Sequence, residues 1–171
     1  MRCLRGEHPV EWRHDFAWGH STNNQPALPA AFAHSIKVRV VDAGDDGTCM
    51  AELMQLTAPQ YSLHRLGIFF TPTPRHADVL LVVGLVTRAM RQPLIDTYNA
   101  MPTPKRVLAV GTCAINGGLF GPDFAVGGGV AEVIPVDRVV PGSPPPPLAI
   151  IEGLLALMGR TVMASRTENK S

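Results

Sequence analysis

The apolar run Arg106-Val107-Leu108-Ala109-Val110 passes directly into Gly111-Thr112-Cys113-Ala114-Ile115-Asn116-Gly117-Gly118, and this junction constrains the fold more than any other stretch. A short continuous apolar run bounded by glycine reads as a strand buried on both faces, the habit of parallel sheets. Such a strand delivers backbone N–H groups, and here one thiol, to the carboxyl edge of a sheet. In open α/β sheets that edge is where ligands bind. Gly111 and Gly117 let the backbone turn tightly or approach a ligand closely, and serve equally well in any tight turn.

Other runs repeat the pattern. Ile36–Asp42 alternates apolar and basic residues, Leu66–Phe70 ends at Thr71-Pro72-Thr73-Pro74, and Val79–Val83 is apolar throughout. The mixed segment 130–140 reads as a short helix or turn and then a strand into Pro141. Between these lie helical stretches. Met50–Gln55 has Asp45, Asp46 or Thr48 available as a cap. Residues 87–101 are amphipathic with Pro93 inside. Residues 147–158 place Leu148, Ile151, Leu154, Leu155 and Met158 on one face. Strands alternating with helices predict an α/β domain: a mainly parallel sheet flanked by helices, flavodoxin-like, in three layers.

The domain is expected over residues 36–160, with an irregular extension at 1–35 and a polar tail at 161–171. The extension holds Trp12, Trp18, His8, His14, His20 and His34. Histidine spacings of 6, 6 and 14 match no common ligand pattern, so these read as exposed side chains. The tryptophans suit either local packing or anchoring in a partner surface.

Bulk properties narrow the function. A chain of 171 residues can bury one core without disulfides or metals. A formal net charge of +1 argues against nucleic acid as the main partner. No apolar run is long enough for a membrane span; residues 78–86 are too short and are followed by charge. The first residues contain no secretory apolar segment, so a cytoplasmic location is expected, with any membrane association made through partner subunits. Three cysteines are a poor basis for a disulfide framework and suit a reducing compartment. Cys3, in the extension, reads as an ordinary free cysteine.

Three loops at strand ends carry chemistry: Asp46-Gly47-Thr48-Cys49, Gly111-Thr112-Cys113 and Pro141-Gly142-Ser143-Pro144. In a parallel sheet such loops can converge at one edge, where they offer two thiols, a carboxylate and a hydroxyl. Around them stand Asp42-Ala43-Gly44, Gly67-Ile68, Pro74-Arg75-His76-Ala77-Asp78, Val86-Thr87-Arg88-Ala89-Met90, Met101-Pro102-Thr103-Pro104-Lys105 and Ile134-Pro135-Val136-Asp137. Taken in this order, the residues resemble the small, cluster-carrying subunit shared by respiratory complex I (its 20 kDa or B subunit) and the membrane-bound, energy-converting [NiFe] hydrogenases, including formate hydrogenlyase. The resemblance spans roughly residues 36–158.

The resemblance implies an electron-transfer subunit that is not catalytic alone. It implies a [4Fe-4S] cluster held by four cysteines, and as partners a hydrogenase- or complex-I-type large subunit and the membrane subunits of the same complex. Cys49 and Cys113 match two of the ligand positions. Asp46 stands where the first cysteine of a Cys-x-x-Cys pair is expected, and Ser143 where the last is. The resemblance gives Glu52 a role near the cluster in proton transfer, against the plainer reading of a helix-surface acid. It puts Arg75 and Arg88 at the interface with the large subunit, against an ion-pair role.

The donor chemistry limits what this site can hold. Each iron corner is best served by a soft thiolate. Asp46 is ionised at pH 7 and offers a hard oxygen; Ser143 must first lose a proton whose pKa lies far above 7. A standard four-thiolate cluster is excluded. The remaining readings are electron transfer through a degenerate cluster with oxygen ligands, a structural subunit that has lost its cluster, and a zinc site built on Cys49, Cys113 and Asp46.

Overall fold

In a computed structural model of the chain, residues 30–119 and 124–160 are described. They form five strands: β1 (Ile36–Asp42), β2 (Ile68–Phe70), β3 (Val79–Val83), β4 (Arg106–Val110) and β5 (Arg138–Val140). The helices are α1 (Thr48–Gln55), α2 (Arg88–Ala100), α3 (Thr112–Asn116) and α4 (Pro147–Leu157). All strand pairs are parallel, in the order β2-β1-β3-β4-β5. That is the order of a doubly wound, flavodoxin-like sheet. The predicted α/β class stands, and the sheet is parallel throughout.

Burial explains the sequence pattern. Every residue of β3 and β4 is buried, because helices cover both faces of the central strands. On one face α1 and α4 close a core in which Cys49, Leu53, Ile150, Ile151 and Leu154 meet Leu81, Leu108 and Val110. On the other, Leu94 of α2 and Met101 pack against Leu80, Val82 and Val107. The chain therefore has the predicted three layers.

At the amino end of β4, Arg106 lies 3.7 Å from Asp137, and Asp137 Oδ2 accepts the Val107 N–H at 2.8 Å. This buried contact ties β4 to the segment entering β5. Burial raises the Asp137 pKa, opposed by the Val107 N–H and by Arg106.

Three expectations change. Leu66 belongs to a 3-10 turn (Leu63–Leu66) and not to a strand, because Gly67 turns at φ 81° before β2 begins. The helix expected from Met50 begins two residues earlier, at Thr48, so Thr48 lies inside it. Leu148 does not join the buried face of α4; it is 62% exposed in the first turn, whereas Ile150, Ile151, Leu154 and Leu155 point inward. Pro93 is accommodated inside α2, whose first turn is capped by the Thr87 hydroxyl accepting the Met90 N–H. The tryptophans, Cys3, His8, His14, His20 and the tail at 161–171 lie outside the described residues. Of the extension, Ala30–Ala33 forms a 3-10 turn.

Candidate functional site

A parallel sheet sends the loops after β1, β3, β4 and β5 to one edge, and here they are tied together. Gly111 N–H donates to Val140 O at 2.9 Å, and Thr112 donates to Gly142 O through its N–H (2.8 Å) and its hydroxyl (3.1 Å). The loop carrying Cys113 is thus fastened to the loop carrying Ser143. On the other side, Thr87 N–H reaches Ala43 O at 3.1 Å, and a Cβ on Gly84 would meet the Asp45 nitrogen at 2.2 Å. The loops after β1 and β3 lie backbone against backbone. The segment 125–129 joins them, since Arg88 N–H donates to Ala125 O and Val86 N–H to Gly128 O.

The three loops singled out in the sequence therefore converge. Cys49, in the first turn of α1, is buried, and its sulfur faces Gly111: a Cβ there would stand 2.7 Å from Sγ. Cys113, in α3, is half-buried, and a Cβ on Gly118 would stand 2.7 Å from its Sγ. Gly117 closes α3 at φ 84°, its N–H donating to Cys113 O at 2.9 Å. Glycine at 111 and 118 lets each sulfur lie against the backbone, in space that a side chain would otherwise occupy.

Both thiols are held in their neutral form. Burial, with the Asp45 and Cys113 charges behind it, pushes the Cys49 thiol up to about 12. Burial and then the Asp46 and Asp45 carboxylates raise Cys113. Asp45 thus acts on both sulfurs, which places the thiols and the aspartate pair in one neighbourhood. Neither cysteine is in a disulfide.

The oxygen donors are placed differently. Asp46 is exposed, and its Oδ1 accepts both the N–H and the hydroxyl of Thr48, which holds its carboxyl below the usual range. Ser143 is exposed in the loop after β5. Glu52 is half-buried on α1. Arg75 and Arg88 are both exposed and anchored at opposite ends of β3: Arg75 in the turn that feeds it, Arg88 at the start of α2 beyond it. The sequence marks Asp45 only as a cap. Its proximity to both thiols depends on Cys113, 68 residues further along, and leaves no local signal.

The residues present do not fit a four-thiolate [4Fe-4S] cluster. Two glycine-backed sulfurs are in place, but the other two positions offer a carboxylate engaged with its own helix and a neutral hydroxyl. Among the described residues no group of three His, Cys, Asp or Glu side chains is arranged to hold a single metal ion, so the zinc arrangement is not assembled. Among the same residues no helix is long and apolar enough to cross a membrane.

Comparison with known proteins agrees with this geometry. Residues 47–157 match the family described as NADH ubiquinone oxidoreductase, 20 Kd subunit. An uncharacterized protein of Methanocaldococcus jannaschii is 43% identical over 138 residues, covering 80% of this chain and 93% of its own. Formate hydrogenlyase subunit 7 of Escherichia coli is 40% identical over 119 residues, covering 70% of this chain. The NADH-quinone oxidoreductase B subunit of Desulfovibrio desulfuricans is 44% identical over 109 residues, 64% of this chain. The chain spans only 47% and 59% of the length of these last two. Among solved structures, a chain of the membrane-bound sulfane sulfur reductase, an archaeal respiratory membrane complex, superimposes with a TM-score of 0.66 at 33% identity, covering 77% of this chain and 75% of that one.

Proposed function

Because this chain belongs to the NADH ubiquinone oxidoreductase 20 kDa subunit family, we propose that it works as the small subunit of a membrane-bound assembly of the hydrogenase or complex I kind. Its partners in this reading are the large subunit and the membrane subunits of that assembly, through which it is held peripherally at the inner membrane. The relatives named as formate hydrogenlyase subunit 7 and as the B subunit of NADH-quinone oxidoreductase support that placement, as does the likeness to a chain of a respiratory membrane complex. So does the surface: Leu119, just past α3, and Leu148, just past the loop of Ser143, are 95% and 62% exposed. Large exposed apolar side chains near these loops suit a surface that a partner covers.

The donor set supports a structural role there. With two thiols in place of four, the chain acts as a structural subunit that retains the docking edge and the glycine-backed cradle. A second reading, one-electron transfer through a cluster with two thiolate and two oxygen ligands, is favoured by the convergence of the Cys49 and Cys113 loops. In that reading Glu52 is the proton-transfer candidate.

The test is iron and acid-labile sulfide content, with EPR, on the assembly purified anaerobically with its partners, beside a Cys113→Ala variant. The structural reading expects this chain to co-purify with a large subunit and the variant to lose no iron. A loss of about four irons per chain together with a reducible signal would establish the electron-transfer reading. Failure to co-purify with any such partner would remove both.

A further inference from the structure

The amino end of α1 carries an arrangement that the family resemblance does not account for. The first N–H groups of a helix have no partner within it and must be satisfied from outside. Here the carboxylates of Asp45 and Asp46 do this, and that of Asp42 holds the loop before them. Asp42 Oδ1 accepts from Gly44 N–H at 2.9 Å and Asp45 N–H at 2.7 Å. Asp45 Oδ2 accepts from Gly47 N–H at 3.1 Å and Met50 N–H at 2.9 Å. Asp46 Oδ1 accepts from Thr48 N–H at 3.0 Å and from the Thr48 hydroxyl. Five main-chain donors between residues 44 and 50 therefore end on three aspartates. The ordinary helical pattern takes over at Ala51, whose N–H reaches Gly47 O at 2.9 Å.

Gly47, at φ 93°, occupies the cap position and has no side chain to offer. The capping load therefore falls on the two residues before it. Negative charge at this end of a helix is also favoured by the helix dipole. Asp46 faces solvent, whereas Cys49, three residues on, is buried against Gly111.

We propose that Asp46 is a capping residue of α1 and not a metal ligand, so that the carboxyl-edge loops keep their docking arrangement with no metal bound. This rests on the structural-subunit reading above and gives it a mechanism: carboxylates hold the helix start in place of a cluster.

The two roles separate by substitution. Asparagine caps a helix about as well as aspartate, whereas alanine does not; as an anionic ligand, asparagine fails as alanine does. Asp46→Asn and Asp46→Ala are compared with the natural full chain for melting temperature and iron content, each co-expressed with its partners. The capping role expects Asp46→Asn, which keeps the acceptor but loses the charge, to melt about 1 °C below the natural chain and Asp46→Ala about 3 °C below it. Iron content is unchanged in both. A melting loss in Asp46→Asn equal to that in Asp46→Ala, or iron present in the natural chain and lost in Asp46→Asn, would overturn it. Partner co-purification is read separately: its failure sinks the subunit reading and leaves the comparison of the two variants intact.

Discussion

The Cys49 sulfur lies against Gly111, so close that a Cβ on the glycine would stand 2.7 Å from it. The two residues are 62 positions apart in the chain and come from the loops after β1 and β4. Gly111 also holds φ 92°, a region that side-chain-bearing residues adopt at a cost. Gly111→Ala is therefore expected to destabilise the fold by ~2–3 kcal/mol. Urea denaturation measures this; a loss under about 0.5 kcal/mol would mean that the contact is not formed.

The double variant Asp46→Cys, Ser143→Cys supplies four thiols on loops that already converge. It is expected to purify brown under anaerobic conditions, with about four irons and four sulfides per chain above the natural protein. The metal-free double variant is expected to melt below the natural chain, since cysteine at 46 does not cap α1. A colourless double variant would show that the loops do not set the sulfurs at cluster spacing.

Cys49 is predicted to resist alkylation. With its pKa pushed up to about 12, only about one thiol in ten thousand is ionised at pH 8, and the group is 2% exposed. Cys113 is half-buried and reacts first, although burial slows it too. Peptide mass mapping after iodoacetamide treatment of the folded chain reads the order directly. Equal labelling of the two cysteines would contradict the buried placement of Cys49.

Asp46 makes a signed contribution to acid stability. Its folded pKa lies below the ordinary 3.8 because the Thr48 hydroxyl and N–H favour the ionised form. Between the folded and unfolded values the unfolded chain binds more protons, so stability falls as pH falls. The contribution is complete above the unfolded value and is lost as pH drops through the folded one. From pH 5 to pH 3, the natural chain is expected to lose more melting temperature than Asp46→Asn. Parallel curves for the two proteins would remove the claim.

At the far end of the sheet, Arg106 and Asp137 are both nearly buried, 3.7 Å apart. Asp137→Ala removes the carboxylate beside the guanidinium and the acceptor for Val107 N–H. The expected loss is about 3 kcal/mol. Because the pair lies away from the cysteine loops, partner binding at 25 °C should persist, which a pull-down against the large subunit can check.

Much of this architecture is legible in the chain itself. The fully apolar β3 and the apolar run of β4 announce strands covered on both faces, and the glycines and prolines between runs mark the turns. Three positions were not legible. Leu66 continues the apolar run into β2, but a 3-10 turn claims it, since Gly67 fits its Cα against the His34 carbonyl. Leu148 carries the period of α4 yet lies in the first turn, exposed beside the loop of Ser143. Asp45 sits within five residues of α1, and its charge reaches two sulfurs only after folding.

The sequence by itself determined the α/β class, most of the strands and helices, and the donor inventory: two cysteines, an aspartate and a serine at four strand-end positions. These follow from side-chain period, turn chemistry and residue identity, all of which are local. Only the tertiary structure decided that Cys49 meets Gly111 and that the Cys113 and Ser143 loops are bonded together. Such contacts depend on strand order and register, which bring residues dozens of positions apart to one edge.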